Sequence, residues 1–135
     1  MNALYIIDIE QNDLSGSFTY LSYEQVIQNI ATFITEIKLA VWNFWIHNTG
    51  PLGCLPRELA TTSAQNATTD YDPYGRLVPL NDAAQEFNRQ LRALCEELRS
   101  EMTNANILYV HIFSVKYDLI ANAAKYSTTL PRALV

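Results

Sequence analysis

ALYIIDI, residues 3–9, is a short apolar run rich in large and β-branched side chains. Such a run predicts a buried β-strand. The polar residues EQND, residues 10–13, follow at once. Polar side chains directly after a strand make either an ordinary solvated turn or part of a functional site. The choice depends on what the rest of the chain brings to the same place.

Two further apolar runs predict strands: NFWIHN, residues 43–48, and NILYVHIF, residues 106–113. Helical spacing of apolar residues predicts three helices, from Ser22 onward, from Asn81 or Asp82 to about Thr103, and over residues 114–126. Ser22 and Gln25 have the spacing of a capping box, and Ser114 is the predicted N-cap of the third helix. Cys95 lies on the apolar stripe of the second helix, which favours a buried thiol over a reactive one.

The segments between these elements predict loops. Gly50, Pro51, Gly53 and Pro56 close a tight loop after the second strand. Residues 57–80 are rich in Thr, Asn and Asp without periodicity, so they predict a long surface loop. This loop contains Asn66 in an Asn-Ala-Thr sequon, a candidate glycosylation site that has meaning only in a secreted chain.

The resulting order, β-α-β-loop-α-β-α, predicts an α/β fold. Strands that alternate with helices favour a mainly parallel sheet covered on both faces. In such a sheet the carboxyl ends of the strands collect the chemistry. Three segments, 8–16, 48–56 and 111–115, are therefore expected at one edge.

Composition excludes several classes of function. The 135 residues carry a net charge of −5, with 14 acidic and 9 basic residues and no basic cluster, so nucleic acid and anionic membranes are poor partners. No apolar run is long enough for a transmembrane segment, and no signal peptide is visible. Cys54 and Cys95 are compatible with one disulfide or two free thiols. The two histidines have no zinc-site spacing, and the sequence points to no metal or cofactor.

Asn12 is the side chain with the clearest chemical use in the polar stretch. Its amide can donate a hydrogen bond to a developing negative charge, as in an oxyanion hole. Asp8 and Asp13 could orient a base or cap a loop, and Asn48 lies in a second loop at the same predicted edge. Ordinary turn hydrogen bonds explain such residues equally well from their own chemistry.

Four stretches occur in the order seen in plant GDSL esterase/lipases of the SGNH hydrolase superfamily, which the chain resembles over residues 3–126: YIIDIEQNDLSG, FWIHNTGPLGCLP, LNDAAQEFNRQLRALCEELRSEM and ILYVHIFSVKYDLIANAAKY. The resemblance implies a partial flavodoxin-like α/β/α three-layer hydrolase domain over residues 1–126, with residues 127–135 as a divergent C-terminal tail. It also implies a small ester or lipid substrate and secretion. It leaves the oligomeric state open.

Family members use a GDS serine, a glycine, an asparagine in a G-x-N-D block and a DxxH pair. By resemblance, Asn12 matches the oxyanion asparagine and Asp13 its neighbour, whereas Glu10 replaces the glycine of that block. The chain contains no GDS and no DxxH, and His47 and His111 are predicted to be structural. No catalytic nucleophile–base pair is therefore assigned. We expect an inactive fragment or remnant of an ester hydrolase; the alternative is a non-catalytic α/β module that binds a ligand or partner.

Overall fold

The computed structural model describes residues 5–7, 11–38, 43–64, 70–102 and 106–126. Within these ranges the strands are β1 (Tyr5–Ile7), β2 (Asn43–His47) and β3 (Asn106–Val110). The helices are α1 (Gln11–Ser17), α2 (Tyr23–Lys38), α3 (Pro56–Ala64), α4 (Val78–Glu101), α5 (Ile112–Ala121) and α6 (Ala123–Tyr126), with one 3₁₀ turn at Leu52–Cys54. Glu10, the sequon at Asn66 and the predicted tail, residues 127–135, lie outside the described residues.

The three strands form one parallel sheet in the order β1-β2-β3. This confirms the α/β class and the parallel sheet. The register places Ile6 opposite Trp45, and Trp45 opposite Leu108, across all three strands. The third strand ends at Val110, three residues earlier than the sequence predicts, because the backbone enters α5 at Ile112.

The hydrophobic core lies between one face of this sheet and helices α2 and α4. Its members are fully or nearly fully buried, and they comprise Val26 and Ile30 of α2, Phe44, Ile46 and Ile107 of the sheet, and Ala84, Phe87, Leu91, Leu94, Cys95 and Leu98 of α4. The predicted apolar stripe of α4 is thus confirmed, and Cys95 is a buried small hydrophobe. Burying each large side chain contributes about 1.5–3 kcal/mol, so this single layer accounts for much of the stability.

The opposite face of the sheet carries an exposed apolar row in the described part of the chain. Ile6, Trp45 and Leu108 form a row across the three strands and are 64%, 36% and 53% exposed. Helices α2 and α4 cover one face of the sheet, as expected, and the described residues leave this row of the other face exposed. A parallel sheet normally has helices on both faces, so this apolar row is the surface that a second layer would cover.

Replacing Leu108 by Thr is expected to change the free energy of unfolding by less than about 0.5 kcal/mol, because the side chain is half exposed. The same change at its neighbour Ile107, which is 8% exposed, should cost about 2–4 kcal/mol. Urea unfolding of both variants measures the difference, and Leu108→Thr should also reduce binding of a hydrophobic dye. Equal destabilisation by the two substitutions would show that the row is buried in solution.

Two helices arise where the sequence predicts loops. Helix α1 contains Gly16 and several polar residues of low helix propensity, but the fully buried Leu14 fixes it against the core. Helix α3 occupies the first part of the predicted 57–80 loop and starts with Pro56, which is well suited to a first helical position. Tertiary burial of one residue per turn overrides weak local propensity in such short helices.

The N-termini of α2 and α4 can be compared with their predicted positions. Helix α2 has the predicted capping box: the Ser22 backbone N–H donates to Gln25 Oε1 at 2.9 Å, and Gln25 N–H donates to Ser22 Oγ at 3.4 Å. Helix α4 begins at Val78, earlier than predicted, because Pro79 needs no N–H partner in the first turn. The N–H groups of Leu77 and Val78 donate to the carbonyls of Gly53 and Asp70.

Candidate functional site: the carboxyl edge of the sheet

The parallel register brings the segments after β2 and β3 to the same edge, as the sequence predicts. The Asn48 backbone N–H donates to the Val110 carbonyl at 3.1 Å, which extends the β2–β3 pairing by one bond. Residues 48–53 are all buried. This loop therefore packs as part of the core, and its first residue, Asn48, also lines a surface cleft formed with α4, β3 and α5.

Asn12 is the second residue of α1, so it lies in the first turn of a helix and not on a loop as expected. Its side chain is exposed, and its amide forms no hydrogen bond with another described residue. The two residues that follow Asp13 hold the helix in place: Leu14 is 0% exposed and Ser15 is 9% exposed. Asn12 therefore combines a free amide with an anchored backbone.

A hydrogen bond between two helices strengthens this anchor. The Ser15 hydroxyl donates to Glu58 Oε1 of α3 at 2.6 Å, in a partly buried position. A bond of this length to a carboxylate is charge-assisted and stronger than one between neutral groups. Helix α1 is thus tied to the core by Leu14 and to α3 by Ser15.

Asp13 lies in the first turn of α1, where its exposed carboxylate is favoured by the positive end of the helix dipole. Its backbone carbonyl accepts the Ser17 hydroxyl at 2.7 Å. The hydroxyls of both α1 serines are therefore committed to oxygen acceptors, Ser15 to a carboxylate and Ser17 to a carbonyl. In the part of the chain that the structure describes, neither serine pairs with a histidine.

Asn48 connects the sheet to α5. Its side-chain oxygen accepts the Phe113 backbone N–H at 2.9 Å, so it satisfies one of the free donors at the start of that helix. The predicted N-cap, Ser114, is wrong, because α5 begins at Ile112 and Ser114 lies inside its first turn. The cap comes from a different strand, which a search for local capping residues does not consider.

Asn81 and Asn88 hold the buried loop and are not among the residues that the sequence singles out. Asn88 pairs with both backbone groups of Thr49: Thr49 N–H donates to Asn88 Oδ1 and Asn88 Nδ2 donates to the Thr49 carbonyl, both at 2.8 Å. Asn81 Oδ1 accepts the Gly53 N–H at 2.9 Å. The available signal was two asparagines, seven positions apart, on the otherwise apolar face of α4.

Arg76 is a second buried polar group near this loop. Its side chain is 4% exposed and is sandwiched between the rings of Tyr74 and Tyr117, at 4.5 and 4.4 Å from their centroids. The Asp72 carboxylate lies 3.6 Å from one guanidinium nitrogen. Burial by itself would raise the pKa of Asp72, but hydrogen bonds from the backbone N–H groups of Arg76 and Tyr74 lower it. The cluster fastens the 70–77 segment to α5.

Cys54 and Cys95 are free thiols. Burial raises the pKa of Cys95 to about 11, and burial also raises the pKa of Cys54 although the Arg76 charge opposes it. Neither thiol is therefore activated as a nucleophile. His111, at the start of α5, packs edge-on against Tyr109 with ring centroids 4.9 Å apart. Among the described residues no three His, Cys, Asp or Glu side chains come together as a metal site, and no helix is long and apolar enough to cross a membrane.

Comparisons with known proteins identify the family to which the chain is similar. The family model described as GDSL-like Lipase/Acylhydrolase matches residues 1–129. A GDSL esterase/lipase of Arabidopsis thaliana is 45% identical over 139 residues, which cover 96% of this chain and 36% of the relative. The Arabidopsis GDSL esterase/lipase LIP-4 is 46% identical with the same coverage. Arabidopsis alpha-L-fucosidase 3 is 40% identical over 130 residues, which cover 90% of this chain and 34% of the relative.

The chain thus spans about a third of the length of the curated relatives it matches. No solved structure shows a significant match. The match covers every described element, from β1 to α6, so the resemblance is not confined to one motif.

Proposed function

Since the chain belongs to the GDSL-like lipase/acylhydrolase family, we propose that it forms the oxyanion side of an ester hydrolase, with Asn12 as the donor. The sequence contains neither a GDS tripeptide nor a DxxH pair. These 135 residues therefore supply one wall of the reaction site and lack the nucleophile and base that would face it. Taken alone, they do not hydrolyse esters.

The position of Asn12 carries this proposal. An oxyanion donor has to be fixed before charge develops, because reorganisation during the reaction would cancel its benefit. The Asn12 amide is exposed in the first turn of α1, while Leu14 and the Ser15–Glu58 hydrogen bond hold the same helix. A solvated turn residue would need neither anchor.

The chemistry assigned to Asn12 is limited to charge stabilisation. In the mechanism that the family resemblance implies, a serine oxygen attacks the ester carbonyl and a histidine removes the serine proton. The carbonyl π electrons move onto oxygen, and the Asn12 N–H donates a hydrogen bond to that oxyanion. Glu10, where the family block has glycine, adds a negative charge two residues before Asn12 and is expected to weaken this stabilisation.

We propose an ester, and more specifically a lipid ester, as the substrate class. Support comes from the family description and from the esterase/lipase names of two of the relatives above. One relative is named as a fucosidase, so the family name does not by itself fix the scissile bond. The extracellular location that the resemblance implies stays a prediction.

A chimaera tests the role of Asn12. Residues 1–126 replace the matching segment of Arabidopsis LIP-4, whose own chain supplies the segments outside the match. We expect the chimaera to hydrolyse p-nitrophenyl esters, and Asn12→Ala to lower its kcat about 10²–10³-fold with KM nearly unchanged, because the lost bond acts only in the transition state. The 135-residue chain alone should give no turnover above its own Asn12→Ala variant.

Asn29→Ala is the matched control, since Asn29 is an exposed helical asparagine on α2. It should leave kcat of the chimaera unchanged, and circular dichroism should show the same helix content in all three proteins. Full activity of the Asn12→Ala chimaera would refute the oxyanion role. Ester turnover by the chain alone that disappears on replacing one serine would refute the absence of a nucleophile.

A further inference from the structure

A surface cleft lies beside β3, which is at the opposite edge of the described sheet from β1. Its volume is about 300 Å³, and its walls come from α4, β3 and the start of α5. Because β2 lies between β1 and β3, this cleft is separated by a strand from the segment that carries Asn12. We call it the α4–β3 cleft and define it by Arg89, Arg92, Tyr109, His111 and Ser114.

The charge of this cleft departs from that of the chain. Acidic residues outnumber basic ones by 14 to 9 in the whole sequence. The described lining of the cleft nevertheless contains two arginines and a histidine, and no aspartate or glutamate. The Ser114 hydroxyl and the Gln85 amide add neutral donors, whereas the Tyr109 hydroxyl and the Asn88 amide already donate to backbone carbonyls. The walls thus combine positive charge with neutral donors.

The two arginines are available to a ligand. Arg89 forms two hydrogen bonds with Glu86, at 2.6 and 2.8 Å, and Arg92 forms one with Glu96 at 3.1 Å. Both arginine side chains are 60% exposed or more. The Arg92–Glu96 pair is exposed on both sides and contributes little to stability, so a ligand can exchange with it. The Arg89 pair also shows that this guanidinium can present two parallel donors to a planar oxyanion.

The start of α5 adds a weaker contribution. Ser114 lies in the first turn of this ten-residue helix and lines the cleft. The first turn carries a partial positive charge from the aligned peptide dipoles. The Phe113 N–H is already bound by Asn48, so the helix contributes its field and the Ser114 hydroxyl more than a full set of backbone donors.

We propose that the α4–β3 cleft binds a small oxyanion, a carboxylate or a phosphoryl group, through Arg89, Arg92 and the Ser114 hydroxyl. This site is separate from the oxyanion role of Asn12 and does not depend on ester hydrolysis. An Asn12→Ala variant therefore binds the anion as the unchanged chain does.

Titration with inorganic phosphate at constant ionic strength tests the site, with the backbone amide resonances of His111 and Ser114 as the readout. We expect a saturable shift, and Arg89→Gln and Arg92→Gln should each weaken binding roughly tenfold, because each removes a charge-assisted donor. Thermal unfolding provides an independent readout: phosphate should raise the Tm of the unchanged chain and not that of the double variant.

Arg57→Gln is the matched control, because Arg57 is an exposed arginine on α3 and does not line the cleft. Its phosphate affinity should stay within about twofold of the unchanged chain, since only the net charge differs. Acetate is titrated in parallel. Tighter binding of acetate than of phosphate indicates a carboxylate site, and tighter binding of phosphate indicates a phosphoryl site. Shifts that rise linearly without saturation for both anions, or an equal loss of affinity in Arg57→Gln and Arg92→Gln, would overturn the proposal.

Discussion

Replacing Gly53 by alanine is expected to destabilise the fold by about 4 kcal/mol or more, which is among the largest effects a single methyl group can have. An added Cβ would overlap the carbonyl oxygen of Leu77 and would lie 2.9 Å from Asn81 Cγ. The first obstacle is backbone, so no side-chain rotation can relieve it. The overlap would also separate the Leu77 N–H from the Gly53 carbonyl that it now contacts at 3.0 Å.

Gly16→Ala is the matched control for this experiment. An added Cβ at Gly16 meets nothing within 4 Å, and the residue lies inside α1. Alanine is the better helix former by about 1 kcal/mol, so this variant should be unchanged or slightly more stable. Urea denaturation of both variants measures the contrast. A Gly53→Ala protein as stable as the unchanged chain would mean that the 48–53 loop can move away from α4.

Asn88→Leu is expected to destabilise the fold by about 2–5 kcal/mol. The substitution conserves volume but leaves the N–H and the carbonyl of Thr49 without their present partner. Both groups belong to a residue that is 3% exposed, so water does not replace the lost bonds. Each orphaned buried group costs about 1–3 kcal/mol, and the apolar surface of the buried leucine offsets part of the combined cost.

Two further asparagine variants calibrate that result. Asn81→Leu removes one hydrogen bond to the loop, the one from the Gly53 N–H, so it should cost roughly half as much. Asn29→Leu makes the same chemical change at an exposed position of α2 and should alter stability by less than about 0.5 kcal/mol. Thermal unfolding ranks the three variants. Equal stability of Asn88→Leu and Asn29→Leu would show that the hydrogen bonds between Asn88 and the Thr49 backbone do not stabilise the loop.

These two predictions concern the same structural device. The loop after β2 is held from one side by the close approach of Gly53 to Leu77 and from the other by the amides of Asn81 and Asn88. It thereby fixes Asn48, whose oxygen caps α5. These bonds hold the carboxyl edge at β2 and β3, next to the exposed groups on α1 and in the α4–β3 cleft that we propose as ligand contacts.

Features that depend on local periodicity could be predicted from the sequence. Alternation of apolar runs and amphipathic segments established three strands and the main helices, because the spacing of buried residues is a property of each element alone. The capping box of α2 and the burial of Cys95 follow from residues a few positions apart. The four stretches that resemble plant GDSL esterase/lipases also predicted the family, which the comparisons confirm.

Features that depend on partners distant in sequence became visible only in the folded chain. Helix α1 exists because Leu14 reaches the core, and Asn88 acts on Thr49 across 39 positions. Asn48 caps a helix that lies 65 positions further along the chain. Whether a sheet face is covered depends likewise on what packs against it, which is why Ile6, Trp45 and Leu108 read as core in the sequence and are exposed in the described structure. The residue type of a polar side chain does not specify a hydrogen-bond partner far away in the sequence. Such bonds can therefore be identified only in the folded chain.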